Sequence, residues 1–185
     1  MKMDRINILS ALLRELEAKD PTYQVFGAST HRYKLNPPVS TRDLASFESR
    51  YSVELPSEYR EFLLKLGNGG AGPDYGLLSL TDSVARDSTL KPPEFLATPF
   101  PFVEAFNPYS RTATDDEMFD DKYITGSLAL AHQGCGYYDR LVVTGAQRGM
   151  VWCDGRVSDQ GVAPVGSDFF DWYHSWLTTS LEEIR

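Results

Sequence analysis

Three short apolar segments, separated by glycine-containing connections, constrain the fold of this chain most strongly. They run from Leu128 to Ala131, from Arg140 to Thr144 and from Gly149 to Asp154, with Gly134-Cys135-Gly136 and Gly145-Ala146-Gln147-Arg148 between them. Short apolar segments joined by glycine turns are typical of β-strands that pair with their sequence neighbours. The sequence therefore predicts an antiparallel meander in this part of the chain.

Amphipathic helices are predicted before and after the meander. Residues 3–19 repeat apolar side chains every three or four positions, and Asp20-Pro21 ends that helix because the residue before a proline disfavours helical geometry. Further helices are predicted from Ser40 or Thr41 to near Ser52, from Pro56 to Leu66 and from about Ser167 to Glu183. This order predicts an α+β fold, with a central, mainly antiparallel sheet flanked by helices, in a single domain over residues 1–185.

Several local features are less regular than these elements. Residues 77–80 and 100–106 are further strand candidates, and residues 23–38 resemble a loop. Gly67 is predicted to end the 56–66 helix in the left-handed conformation. Trp152 and Trp176 are expected to be largely buried, so Trp152→Ala should cost about 3–5 kcal/mol as a cavity mutation.

The charge of the chain restricts its partners. Its 185 residues carry 18 basic and 26 acidic side chains, a formal net charge of −8. Nucleic-acid binding through phosphates depends on Lys and Arg, so a direct nucleic-acid partner is not expected and a basic protein partner fits better. No apolar run approaches the roughly 20 residues that cross a bilayer, and the start lacks a signal-peptide pattern. A cytoplasmic protein without membrane contact is therefore expected.

No motif in the sequence indicates catalysis, a cofactor or a metal. The glycines of residues 67–72 follow a helix instead of preceding one, so a tight turn into the sheet is favoured over a phosphate-binding loop. His132 and Cys135 could form a nucleophilic or metal-binding pair, but both Cys135 and Cys153 are interpreted as buried thiols. An enzyme using His132, Cys135 or the acidic residues remains an alternative.

Two kinds of residue are candidates for binding a partner. Tyr137 and Tyr138 follow a glycine turn, so one ring can face the sheet while its neighbour faces solvent. The acidic run that follows Thr114 lacks the spacing of a calcium-binding loop and is either a solvated loop or a partner-facing patch. The candidate partner-binding residues are Asp74, Tyr75, Asp115, Asp116, Glu117, Asp120, Asp121, Tyr137 and Tyr138.

Three segments in order resemble the SUKH superfamily, in its branch named for yeast cell-wall regulators of the Smi/Knr type. They are Leu55-Pro56-x-x-Tyr59-x-x-Phe62-Leu63 with Gly67-Asn68-Gly69-Gly70, then Gly134-Cys135-Gly136-Tyr137-x-x-x-Leu141-Val142-Val143-Thr144-Gly145 with Gly149-x-Val151-Trp152, and finally Phe169-x-x-Trp172-Tyr173-x-x-Trp176-Leu177. The similarity extends from about Ser40 to Leu181. The stretch from Ser83 to Lys122 matches no motif of the family.

The resemblance implies an α+β fold without a catalytic motif. Bacterial members are commonly immunity proteins that bind and neutralise polymorphic or contact-dependent toxins, many of them nucleases, whereas fungal relatives are regulatory interaction proteins. An immunity protein that binds a basic toxin domain is thus the first hypothesis. An intracellular regulatory or scaffold domain that binds a non-toxin protein is the alternative.

Overall fold

The structure, a computed structural model, describes residues 5–86, 89–109, 112 and 114–184, except the side chains of residues 86 and 89. Its strands are β1 (Ala85–Arg86), β2 (Thr89–Leu90), β3 (Ser127–Gly134), β4 (Tyr137–Val142), β5 (Met150–Asp154) and β6 (Val162–Asp168). β1 and β2 pair antiparallel as a two-stranded sheet, whereas β3 to β6 form an antiparallel sheet in sequence order. The predicted meander and the α+β class are confirmed.

Helices precede and follow this sheet. They are α1 (Arg5–Lys19), α2 (Ala28–His31), α3 (Thr41–Tyr51), α4 (Ser57–Lys65), α5 (Glu94–Ala97), α6 (Asp115–Met118) and α7 (Phe169–Glu183). Helix α3 begins as predicted, because the Ser40 hydroxyl accepts a hydrogen bond from the Asp43 amide at 3.0 Å. Helix α2 lies inside the region predicted as a loop. Across the described ranges, none of the helices combines the length and the apolar character needed to cross a bilayer.

The fourth strand of the sheet was not predicted. Strand β6 contains Pro164 and Gly166, which are unfavourable in strands, but it lies at the edge of the sheet, where a missing N–H is tolerated. Its last residue, Asp168, also caps α7 by accepting a hydrogen bond from the Asp171 amide at 2.8 Å. The prediction that the last helix begins near Ser167 was therefore wrong by two residues.

The two weaker strand candidates do not form strands. In residues 77–80, Leu77 makes single antiparallel bridges to Gly70 and Ala131, and in residues 100–106, Phe106 makes one to Val162. The glycine-rich turn also differs from the prediction, because the left-handed glycines are Gly69 and Gly70 and not Gly67. Gly67 is required for close packing, since a Cβ there would lie 2.6 Å from the Asn36 carbonyl oxygen.

The strand register separates the sheet into two faces. Residues that pair directly across strands point to the same side, so His132, Tyr138 and Asp154 share one face, together with Arg140 and Trp152. We call this the groove face. The opposite side, the helix face, carries Ala131, Asp139 and Cys153 in one row and Leu128, Leu141 and Val151 in another.

Helices α4 and α7 supply the aromatic core on the helix face. Phe62 of α4 lies with its ring centroid 5.2 Å from that of Phe169 and 5.1 Å from that of Tyr173, both on α7. The Tyr173 hydroxyl donates to the Ala71 carbonyl at 2.9 Å. Trp172 of α7 lies near the Asp139 carboxyl of β4, where the helix faces the sheet.

The stretch that matched no motif covers the groove face. Val84, Phe95 and Phe100 of this stretch are buried, as is Ile124 just after it, and the Phe100 ring lies 4.8 Å from that of Trp152. Trp152 is buried, as predicted. Trp176 is only partly buried, packed between His31 and Tyr173, so the prediction for it was too strong.

The prediction that both cysteines are buried was wrong. Cys135 is exposed and Cys153 is half-buried. Cys135 and Gly136 form the two-residue turn between β3 and β4, with φ values of 49° and 86°. Because a tight hairpin turn projects from the end of the sheet, its residues lie at the surface.

Candidate functional site

Four aromatic side chains form a continuous row where the glycine-rich loop meets the β3–β4 turn. Ring centroids are 5.5 Å apart for Phe26 and Tyr75, 6.1 Å for Tyr75 and His132, and 4.8 Å for His132 and Tyr138. Phe26 is 61% exposed and Tyr75 45%, whereas His132 and Tyr138 are half-buried. We call Phe26, Tyr75, His132 and Tyr138 the aromatic strip. Exposed aromatic residues of this kind are enriched at the centres of protein interfaces.

Two glycines allow the strip to form. A Cβ at Gly27, where φ is +75°, would lie 1.6 Å from the Asp74 carbonyl oxygen, so only glycine lets the segment bearing Phe26 approach the loop bearing Tyr75. A Cβ at Gly134, where φ is +100°, would lie 3.2 Å from Cε2 of Tyr75. Tyr75 therefore rests on the end of β3 beside His132.

Asp74 places a carboxyl group next to the strip. It is half-buried and adopts a left-handed backbone conformation with φ of 53°. Burial raises the pKa of the Asp74 carboxyl, and the nearby His132 acts in the opposite direction. The strip thus combines aromatic surface with at least one acidic group.

The acidic residues 115–121, which we call the acidic segment, have more structure than a solvated loop. Helix α6 begins with a capping box in which Thr114 Oγ1 accepts from the Glu117 amide at 3.3 Å and Glu117 Oε2 accepts from the Thr114 amide at 2.8 Å. These hydrogen bonds from Thr114 lower the pKa of Glu117. Asp115, Asp116 and Glu117 are exposed, so their charges face solvent.

Asp120 and Asp121, at the end of the acidic segment, are paired with nearby lysines. Asp120 accepts hydrogen bonds from the Lys122 amide at 2.8 Å and from Lys122 Nζ at 3.0 Å, and these lower the pKa of its carboxyl. Asp121 forms an ion pair with Lys91. Part of the negative charge in this half is therefore neutralised locally.

A groove of about 470 Å³ lies between the groove face and the stretch from residue 78 to residue 124. Tyr138 and His132 of the aromatic strip form part of its wall, and Phe119 and Asp121 of the acidic segment form another part. The groove therefore joins the two groups of candidate residues.

Buried charges form the floor of this groove. Arg156 makes a two-pronged ion pair with Asp154, with Nε at 2.8 Å from Oδ1 and Nη2 at 2.9 Å from Oδ2. Its Nη1 donates to the carbonyls of Met118 at 3.3 Å and Asp120 at 3.1 Å, which attaches the acidic segment to the sheet. Arg140 lies beside this pair, with Nη1 at 3.9 Å from Asp154 Oδ2.

Tyr137 is separated from the other candidates. It follows the same turn as Tyr138 but points to the other side of β4, and its hydroxyl hydrogen-bonds to Ser158 and accepts from Gln160 Nε2 at 3.2 Å. The two adjacent rings therefore lie in different environments, Tyr138 in the aromatic strip and Tyr137 beside Ser158 and Gln160, as the alternation of a strand predicts.

His132 has a packing role in the strip. Its ring lies between those of Tyr75 and Tyr138, and its Nε2 accepts a hydrogen bond from the Gly136 amide at 3.4 Å. Among the residues that the structure describes, no three His, Cys, Asp or Glu side chains are grouped in a way that could hold a metal ion.

The candidate residues thus divide into three groups. Tyr75, Tyr138 and Asp74 are together at the strip, the acidic segment adjoins the other wall of the groove, and Tyr137 is apart. Sequence reasoning did not identify Phe26, Lys91, Arg140 or Arg156. Arg140 carried only a weak signal, since it begins the largely apolar segment 140–144 directly after the charged Asp139.

Comparison with known protein families assigns the chain. The model of the SMI1 / KNR4 family (SUKH-1) matches residues 38–175, which is most of the chain. The protein therefore belongs to this family, and the resemblance found in the sequence is confirmed. None of the curated proteins matches the chain. The matched region contains the whole groove face and every part of the site except Phe26.

Proposed function

We propose that this chain is a non-catalytic immunity protein that neutralises a basic toxin domain by binding it. Membership of the SMI1 / KNR4 family supports a role in immunity or regulation, since such domains generally act by binding and not by catalysis. The proposed site of action is the cytoplasm. The proposed binding surface is the aromatic strip together with the acidic segment.

The observation that carries this proposal is the contact between exposed aromatic rings that are distant in sequence. Phe26, Tyr75 and Tyr138 come from three separate segments, yet they form one row through His132. A water-exposed row of this kind is costly for an isolated protein and favourable when a partner covers it.

Charge supports a basic partner. The chain has a formal net charge of −8, and Asp115, Asp116 and Glu117 project from α6 without being buried. Complementary charge speeds the encounter of two proteins, whereas buried aromatic residues slow their separation. We therefore assign the acidic segment to association and the aromatic strip to residence time. A nuclease is one candidate partner, because an enzyme that binds nucleic acid presents a basic surface.

The test of this function is inhibition of the toxin domain encoded in the neighbouring open reading frame. Adding the purified chain should abolish the activity of that domain at a one-to-one ratio, because occlusion requires one bound copy. Unchanged activity in the presence of a large excess would contradict the proposal and favour the alternative, a regulatory domain that binds a non-toxin protein.

The role of the acidic segment is tested by charge reversal. Replacing Asp115, Asp116 and Glu117 with Lys should slow association about tenfold or more at low salt and reduce its salt dependence. The matched control reverses Glu15, Glu182 and Glu183, three exposed acids on α1 and α7. Equal association rates for the two triple variants would remove the acidic segment from the interface.

A further inference from the structure

The groove has the dimensions and the composition of a small-molecule site. Its volume of about 470 Å³ falls within the range of roughly 300–1,000 Å³ typical of ligand pockets. Exposed residues, Asp82 and Gly136, belong to its lining, so it opens to solvent. Its lining combines many charged side chains with apolar ones, so a ligand that carries both a charge and an apolar body would fit it.

Two of the three cations in the lining already have charged partners. Arg156 donates to both oxygens of Asp154 and to two backbone carbonyls, so each of its three nitrogens is in use. Lys91 is paired with Asp121. Both oxygens of Asp154 and one oxygen of Asp121 are thus already engaged by these two cations.

Arg140 is that third cation. Its Nε donates to the Ser127 hydroxyl at 2.9 Å and its Nη2 to the Ser127 carbonyl at 3.4 Å, both neutral acceptors. Its Nη1 is 3.9 Å from Asp154 Oδ2, which is too far for a hydrogen bond, and that carboxylate is bound by Arg156. The remaining acid of the lining, Asp82, is exposed and accepts from the Ser79 hydroxyl at 2.6 Å.

The guanidinium of Arg140 keeps its charge in this setting. The residue is 7% exposed, and burial lowers its pKa to about 10, helped by Arg156 and opposed by Asp154. A side chain with that pKa is protonated at neutral pH. Arg140 shares the Asp154 carboxylate with Arg156 and makes no hydrogen bond to it, so the buried pair of guanidiniums is only partly neutralised. An anion entering the groove would reduce the cost of burying this charge.

The rest of the wall suits an apolar body attached to the anion. Phe95, Phe119, Val84 and Ile124 line one side, and the Tyr138 and His132 rings line part of the other. A flat or aliphatic group of a few carbon atoms could be enclosed between these side chains.

We propose that the groove binds a small organic monocarboxylate, whose carboxylate pairs with Arg140 and whose apolar body packs between Phe95, Phe119 and Tyr138. Arg140 and Arg156 share one carboxylate, Asp154, so this buried cluster has one excess positive charge, which a single negative charge would balance. A carboxylate also matches the planar geometry of a guanidinium. The site shares Tyr138 and Phe119 with the proposed toxin-binding surface, but its ligand binding can be measured without a protein partner.

The test uses phenylacetate as the probe and phenylacetamide as its uncharged match, each titrated into the isotopically labelled full chain and followed by NMR. Phenylacetate should shift resonances of the groove residues with a dissociation constant of about 1 mM, a value common for a ligand of this size. Phenylacetamide should bind at least tenfold more weakly. Equal shifts by both compounds, or no groove shifts at about 10 mM phenylacetate, would overturn the proposal.

A pair of variants assigns the binding to one guanidinium. Arg140→Gln should weaken phenylacetate binding at least tenfold, whereas Arg42→Gln, which removes the same charge from an exposed position on α3, should leave it unchanged. Equal affinity of the two variants would overturn the role of Arg140. If Arg140→Gln does not fold, the comparison of phenylacetate with phenylacetamide on the natural chain still tests whether the groove binds a carboxylate.

Discussion

The two faces of the sheet are built from different kinds of contact. On the helix face, Phe62, Phe169 and Tyr173 form a packed aromatic cluster beneath α4 and α7. On the groove face, Arg140 and the Asp154–Arg156 ion pair lie buried beside a cavity of about 470 Å³. The same strands supply both faces, because successive residues of a strand alternate sides.

The groove lining is therefore the part of this sheet that is available for binding, whereas Trp152 and Phe100 on the same face pack together and contribute to stability. Apolar aromatic packing is a favourable contribution to folding, whereas buried charges and open cavities contribute little or reduce stability. The groove face keeps both features, and the exposed aromatic strip adjoins it. We infer that the groove lining is retained for recognition and the helix face for holding the sheet together.

A matched pair of phenylalanine substitutions should give the largest contrast between the faces. Phe62→Ala should lower the free energy of unfolding by about 3–5 kcal/mol, because it leaves a cavity in a fully packed cluster. Phe119→Ala, in the half-exposed wall of the groove, should cost less than about 1.5 kcal/mol, since its loss enlarges a space that already exists. Urea unfolding of both variants measures the difference, and equal losses would break the distinction between the faces.

On the groove face, removing a buried charge should lower the free energy of unfolding more than removing an aromatic ring from the groove wall. Asp154→Asn should cost about 3 kcal/mol, because it leaves the buried Arg156 guanidinium without its two-pronged partner. Asp159→Asn is the control, an exposed acid in the turn that follows, and should change stability by less than about 0.5 kcal/mol. A loss for Asp154→Asn no larger than that of the control would show that the ion pair is unimportant.

Asp139 should give the helix face a pH-dependent stability. Burial raises its pKa to about 6 and Asp74 adds to this, while hydrogen bonds from Gln133 and Trp172 act in the opposite direction. Because the folded state then holds the proton more tightly than the unfolded state, this group stabilises the fold below about pH 4 and loses that effect as pH rises through about 6.

The comparison with Asp139→Asn measures this contribution. Between pH 4 and 6.5 the natural chain should lose up to about 3 kcal/mol relative to the variant, in urea unfolding followed at several pH values. Asp20 also titrates differently in the folded state, because hydrogen bonds from Gln24, Tyr33 and Val25 outweigh burial and lower the pKa of its carboxyl. Its contribution is the same in both proteins, so it cancels when the free energies of unfolding are subtracted at each pH. Parallel pH profiles for the two proteins would contradict the raised pKa.

The main elements of the fold could be predicted from the sequence because they depend on local patterns. Glycine turns and apolar segments predicted β3 to β5, and capping residues predicted α3. Strand β6 was missed since its stability depends on pairing with β5 and not on its own composition. Cys135 was assigned to the interior from its residue type, whereas the turn geometry places it at the surface.

The site was less predictable, because it depends on contacts between distant segments. Tyr75 and Tyr138 were candidates for separate reasons, but the contacts that join them pass through His132 and depend on Gly27 and Gly134. The covering of the groove face by Val84, Phe95 and Phe100 could not be predicted, because these side chains come from irregular segments that the sequence analysis did not connect with the sheet. The charged residues Asp139 and Arg140 are adjacent in β4, and the sequence does not indicate which of them faces the groove.

Two adjacent tyrosines provide the most direct test of the proposed binding surface. Tyr138 belongs to the aromatic strip, whereas Tyr137 points away and hydrogen-bonds to Ser158 and Gln160. The measurement is the dissociation rate of each alanine variant from the neighbouring toxin domain. Tyr138→Ala should dissociate about tenfold faster or more, and Tyr137→Ala at nearly the natural rate. Equal dissociation rates for the two variants, or a larger effect for Tyr137→Ala, would contradict binding through the aromatic strip.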